Sequence, residues 1–148
     1  MVHVYGLRLR SAIAAVLFIG GAGIYLLFRS RAHLGFCLLD AIGLGAAADT
    51  LRESASRVQP SDFVLYSLPD GLWTTSYILL MDSLFCKADI RKRLLWASPI
   101  PLSGLATELL QRLHLLPGVF DWMDMLAYSL PYTIYFAILM MKHKNLKS

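Results

Sequence analysis

Residues 11–28 carry no formal charge over eighteen positions, and Arg10 and Arg29 bracket them. Three further apolar blocks follow, at 63–86, 94–110 and 120–141. A bilayer hydrocarbon core of roughly 30 Å takes about 20 apolar residues per helix. The charges gather between the blocks and not along one face of each, which is the pattern of a polytopic membrane protein and not of a soluble helical bundle. Composition agrees: 57% of the chain is hydrophobic and 16% charged, against about 25% charged in a soluble domain. The expected fold is all-α: a single transmembrane helical domain over 1–148, with four or five spans.

The number of spans turns on residues 34–48. This stretch is short for a span, holds Asp40, and is rich in Gly and Ala. Its Gly43 and Ala47, set against Gly20, Gly21 and Gly23, predict a short second helix packed closely on the first. The polar stretch 49–62 reads as an extramembrane loop. In 63–86, Pro69-Asp70-Gly71 predicts a break, with regular helix from about Asp70 and 63–68 entering along the interface.

Two basic clusters set the orientation. Residues 87–93 hold Lys87, Arg91, Lys92 and Arg93, and the tail holds Lys142, Lys144 and Lys147. Both belong on the cytoplasmic side, so the C-terminus of this multi-pass inner-membrane chain is expected inside. Five spans put the N-terminus outside and four put it inside. Either arrangement leaves nine Lys and Arg inside and five outside, so the charge rule alone does not choose.

That orientation gathers acids at the outer side. Asp70 begins one helix, Glu108 ends the next, and Asp121 and Asp124 open the last. Helical spacing puts Ala97, Pro101, Gly104, Glu108 and Gln111 on one stripe. Asp121, Asp124, Tyr128, Tyr132 and Tyr135 share a second, and Asp70, Thr74 and Tyr77 a third. Facing one another, they would line an outward-facing groove with Trp73 and Trp122 near its rim. Intramembrane ionisable groups usually face a bundle interior or a cavity. The structural alternatives are plain: Asp121 as an N-cap with Asp124 in the first turn, Asp70 as a cap after Pro69, and Glu108 paired with Arg112 one turn on. Asp40 and Asp82 stand apart, Asp82 within reach of Lys87.

Several chemistries find no motif. There is no phosphate-binding glycine loop, nucleophile elbow or zinc-protease helix. Cys37 and Cys86 have no metal-ligand spacing and read as small core hydrophobes. Of the histidines, His114 falls near the acidic pole, but no spacing there specifies a metal, and no cofactor is called for. The basic clusters lack the interleaved aromatics of a nucleic-acid surface, so no nucleic acid is expected as a partner. Membrane lipids are, together with a membrane-protein partner or a second copy of the chain.

The last third resembles the VanZ-like membrane family. The likeness rests on Glu108-Leu109-Leu110-Gln111 closing one helix, a loop with Pro117-Gly118, and Asp121 and Asp124 before a final apolar helix. The last helix departs from the family pattern at Tyr128, Pro131 and Tyr132, where the family tends to carry Asn and a Gly-rich run. The resemblance implies a small cell-envelope accessory protein, and it marks Glu108, Gln111, Asp121 and Asp124 as site residues without naming a substrate. The ligand classes it leaves open are a lipid headgroup, an envelope precursor and a glycopeptide. Two other readings stay open beside it: a small transporter or channel subunit using an intramembrane carboxylate, and a structural or partner-binding subunit of a membrane complex.

Overall fold

The computed structural model describes residues 2–31 and 34–145; Lys147 of the basic tail lies outside them. The described residues form seven α-helices and no strand. These are α1 (Val2–Phe28), α2 (Leu34–Ala41), α3 (Gly45–Ala55), α4 (Leu68–Leu84), α5 (Ile90–Ala97), α6 (Pro99–Arg112) and α7 (Trp122–Asn145). Two helical stretches, Gly6–Phe28 and Trp122–Asn145, are long and apolar enough to cross a membrane.

Helix α4 is the centre. Helices α1, α5, α6 and α7 all pack on it. Contacts to α1 run in opposite chain directions: Trp73 Nε1 donates to the Phe18 carbonyl (3.2 Å), Ser76 Oγ to the Ala14 carbonyl (2.7 Å), and Arg10 meets Asp82 (2.5 Å). The two helices are therefore antiparallel. The glycines of α1 permit this approach. A Cβ on Gly21 would lie 2.5 Å from Trp73 Nε1, and one on Gly20 would touch Leu72. The small face expected to meet residues 34–48 thus meets α4 instead, and a Cβ on Gly23 would meet nothing within 4 Å.

Residues 34–48 are not one helix. Gly43, at φ 78°, ends α2. Leu44 N–H bonds the Leu39 carbonyl and Gly43 N–H the Asp40 carbonyl, a Schellman stop that only a residue without Cβ adopts freely. The chain restarts as α3, which absorbs half of the stretch expected as loop and packs on α1. Arg52 donates to the Leu26 carbonyl (2.7 Å), and Arg31 pairs with Asp40 (2.8 Å) and Asp49. Together α2 and α3 cap the Phe28 end of α1.

The break expected at Pro69 is also absent. A π-helical turn, Phe63–Ser67, runs straight into α4, and Pro69 sits in the first turn. Proline needs no donor partner there, and the wider turn before it accommodates its ring. Between Ala97 and Pro99 the expected helix 94–110 divides. Pro99 supplies no N–H, and Ser98 Oγ bonds back to the Leu95 carbonyl (2.8 Å).

Polarity is inverted relative to a soluble core. Ser67, Thr74, Ser76, Asp82, Ser83 and Glu108 are buried, while Val16 and Ile19 are 69% and 68% exposed. Scattered exposed apolar residues are ordinary, but a helix that turns its large ones outward calls for an apolar surrounding.

Candidate functional site

Near the start of α4, the first turn of α7 and the end of α6, three helices bring their acids together. Glu108 is buried at 6% exposure. Its Oε2 accepts the Asp121 N–H at 3.1 Å, so a side chain at the end of α6 satisfies the backbone just before α7. Asp121 Oδ1 accepts the Met123 N–H at 2.8 Å and remains exposed. It caps α7, as one reading of the sequence held. Asp124, in the first turn, has a shielded Oδ1 without a hydrogen-bond partner.

Tyr128 lies at the middle of this group. Asp70, Asp124 and Glu108 all lie within electrostatic range of it, and it lines a cavity together with Asp70. Its ring occupies the space a Cβ on Gly104 would take. Gly104 is thus what lets α6 admit the tyrosine. Arg112 does not pair with Glu108. Its guanidinium lies over the rings of Phe120 (5.0 Å) and Trp122 (5.4 Å), and among the described residues no ion pair reaches any of the four carboxylates.

The other residues expected at the groove divide. Trp73, Tyr77 and Tyr128 line a cavity of about 360 Å³ with Asp70 and Thr74. Thr74 is fully buried and its Oγ1 has no partner. Tyr77 donates to the Trp96 carbonyl (2.8 Å) and Tyr132 to the Leu94 carbonyl (3.3 Å), so both tie α5 into the bundle. Trp122 is exposed, edge-on to Phe120. Gln111 packs over Gly118, where a Cβ would lie 2.5 Å from its Nε2.

A second polar cluster was hidden from the sequence. Asp82, 5% exposed, is not a partner of Lys87. It takes Arg10 of α1 (2.5 Å), Arg93 of α5 and the hydroxyl of Tyr135 of α7 (2.8 Å). Four helices meet at this carboxylate, about 18 Å along α4 from Asp70. The only sequence signal for it was an acid amid apolar residues, since its partners come 72, 11 and 53 positions away.

Among the described residues no group of three or more His, Cys, Asp and Glu has metal-binding geometry. The acidic pole is instead a hydrogen-bonded, partly shielded group of carboxyl side chains beside a cavity. Compared with protein-family models, curated proteins and solved structures, the chain matches none.

Proposed function

We propose that this chain is a small multi-pass membrane protein that binds a positively charged group at its outer pole, as an accessory of the cell envelope. One observation carries the reading: Asp70, Glu108 and Asp124 converge around Tyr128 with Asp121 beside Glu108, and among the described residues none of the four has an ion-pair partner. In a low-dielectric surrounding such a cluster repels anions and attracts cations. The preferred ligand is therefore an amine or ammonium and not a bare phosphate.

Four spans are the count we favour: α1; α4 with its preceding π turn; α5 with α6; and α7. The antiparallel pairing of α1 and α4 brings Arg10 to the same end as Arg93, and α2 and α3 are each too short to cross. That supports a cytoplasmic N-terminus beside a cytoplasmic C-terminus. It also supports the outer placement of the acids. The likeness to VanZ-like proteins points to the same cellular setting.

Glu108→Gln tests the reading. Glutamine keeps the acceptor for the Asp121 N–H and removes the charge. The variant should insert and melt like the parent but lose retention of an alkylammonium probe such as dodecylammonium, measured by native mass spectrometry. Asp121→Asn, which still caps α7, should lose less. Undiminished retention in Glu108→Gln would exclude the acidic pole as the site.

A further inference from the structure

Resting on that reading, we propose that the ligand is an amphiphile with a primary ammonium head and one hydrocarbon chain, the head held by Asp70 and Thr74 and the chain lying in the cavity along α4. Three observations on that cavity carry the assignment.

The first is its gradient. On α4 the cavity is lined by Asp70, Trp73, Thr74, Tyr77 and Leu80, spaced three or four residues apart along one face of the helix, with Ile100 of α6 joining the lining. Asp70 and Leu80 are separated by ten residues, about 15 Å of helix. The polar groups between them are engaged: Trp73 Nε1 donates to the Phe18 carbonyl, Ser76 Oγ to the Ala14 carbonyl and the Tyr77 hydroxyl to the Trp96 carbonyl. Beyond Thr74 the wall therefore offers chiefly carbon, and the charge sits at the Asp70 end.

The second is its size. A dry apolar cavity of about 150 Å³ holds a six-carbon ring. In that proportion a cavity of about 360 Å³ holds roughly a dozen carbons, which is one chain and not two. Leu80 and Ile100 are 42% and 40% exposed, so the apolar end reaches the outer surface of the bundle, where a chain enters from the membrane.

The third is an unanswered hydroxyl. Thr74 is fully buried, and its Oγ1 has no partner. Asp70, one turn earlier, has no ion pair among the described residues. The aromatic faces of Trp73, Tyr77 and Tyr128 in the wall attract any cation, quaternary heads included. A quaternary head brings no N–H, however, and leaves the Thr74 hydroxyl buried and unbonded at a continuing desolvation cost. A primary ammonium carries three donors, enough for both Asp70 and Thr74. Thr74 is thus the residue that selects among cationic heads.

The test offers the full chain in detergent equal amounts of dodecylammonium and dodecyltrimethylammonium, whose identical chains cancel transfer from the micelle, and scores retention by native mass spectrometry. The parent should retain the primary amine by about tenfold or more, as expected for one hydrogen bond to a charged group. Thr74→Val should bring that ratio to about two or less without lowering the melting temperature of the ligand-free protein, because it deletes a hydroxyl that bonds nothing. Thr74→Ser should keep the ratio. Leu80→Trp, at the end away from the acids, should shift the retention of dodecylammonium against hexylammonium by about tenfold toward the shorter chain. Equal retention of the two heads by the parent, or a parent-like chain preference in Leu80→Trp, would overturn the single-chain primary amine while leaving the acidic pole as a cation site. If Asp70→Asn and Glu108→Gln alter the retention of neither head, the acidic pole itself is wrong.

Discussion

Asp82→Asn is the perturbation whose size the structure fixes best. The carboxylate is 5% exposed, and its partners Arg10 and Arg93 have side chains 35% and 18% exposed. Asparagine fills the same volume and leaves an acceptor for the Tyr135 hydroxyl, but it removes the anion between two guanidinium groups. Breaking a buried ion pair by deleting one partner costs about 3–5 kcal/mol. Arg10 is a third exposed and recovers part of its hydration, so the low end, about 3 kcal/mol, is expected. Tyr135→Phe removes one hydrogen bond to a charged group and should cost about 1.5 kcal/mol. Thermal unfolding in detergent, with unfolding in denaturing surfactant as a second measure, should rank Asp82→Asn well below Tyr135→Phe, and both below the parent. Arg93→Met should destabilise more than Arg10→Met, because its side chain is the more enclosed. An Asp82→Asn variant as stable as the parent would falsify the claim that this carboxylate locks four helices together.

Three further outcomes follow from local geometry. Gly104→Ala puts a methyl group into the Tyr128 ring and should destabilise by about 1–3 kcal/mol as an overpacked interface, read by thermal melting. His114 holds φ 56° at the stop of α6, where Leu115 N–H bonds the Leu110 carbonyl; His114→Gly should raise stability by roughly 0.5–1 kcal/mol. Asp89 caps α5, and the hydrogen bond it accepts from Lys92 N–H (3.0 Å) holds its carboxyl below the usual range. With a depressed folded-state pKa, the stabilisation is present above the unfolded value near ~3.9 and is lost as pH falls through the lower one. The melting difference between the parent and Asp89→Ala should thus hold from pH 7 to about 4 and shrink below that.

What the sequence made legible was whatever is decided within one helix. The block lengths of α1 and α7, the cap at Asp121, and the stripe that turns Ala97, Pro101 and Glu108 inward all follow from periods and flanking residues. The misread places depended on partners far along the chain or on backbone detail. Gly20 and Gly21 looked like a face for residues 34–48, but Trp73 fills that space, and composition does not say which helix a glycine face receives. Pro69 looked like a break because proline removes a donor, yet at the first turn no donor is needed. Arg112 looked like the partner of Glu108 from spacing alone, but two aromatic rings hold it instead. Asp82 was the largest miss, since nothing local ties it to Arg10 or Tyr135.

The two carboxylate centres along α4 are met in opposite ways, and the difference bears on function. Asp82 is matched by two arginines and a tyrosine; among the described residues, Asp70 and its neighbours are matched by no ion pair. Between the centres, α4 buries Thr74, Ser76 and Ile78, the last packed with Ala97, Tyr135 and Leu139 in an apolar layer. Moving an ion through such a layer carries the full desolvation cost of an uncompensated charge in an apolar medium. A carrier would need the Asp82 cluster to open and this layer to part together, at a cost of several kcal/mol for the ion pairs alone. A binding protein needs neither. It needs one end held rigidly shut so that the helices at the other keep their acids, Tyr128 and the unpaired Thr74 hydroxyl in register for a ligand. That division of labour along α4 supports the binding reading over transport.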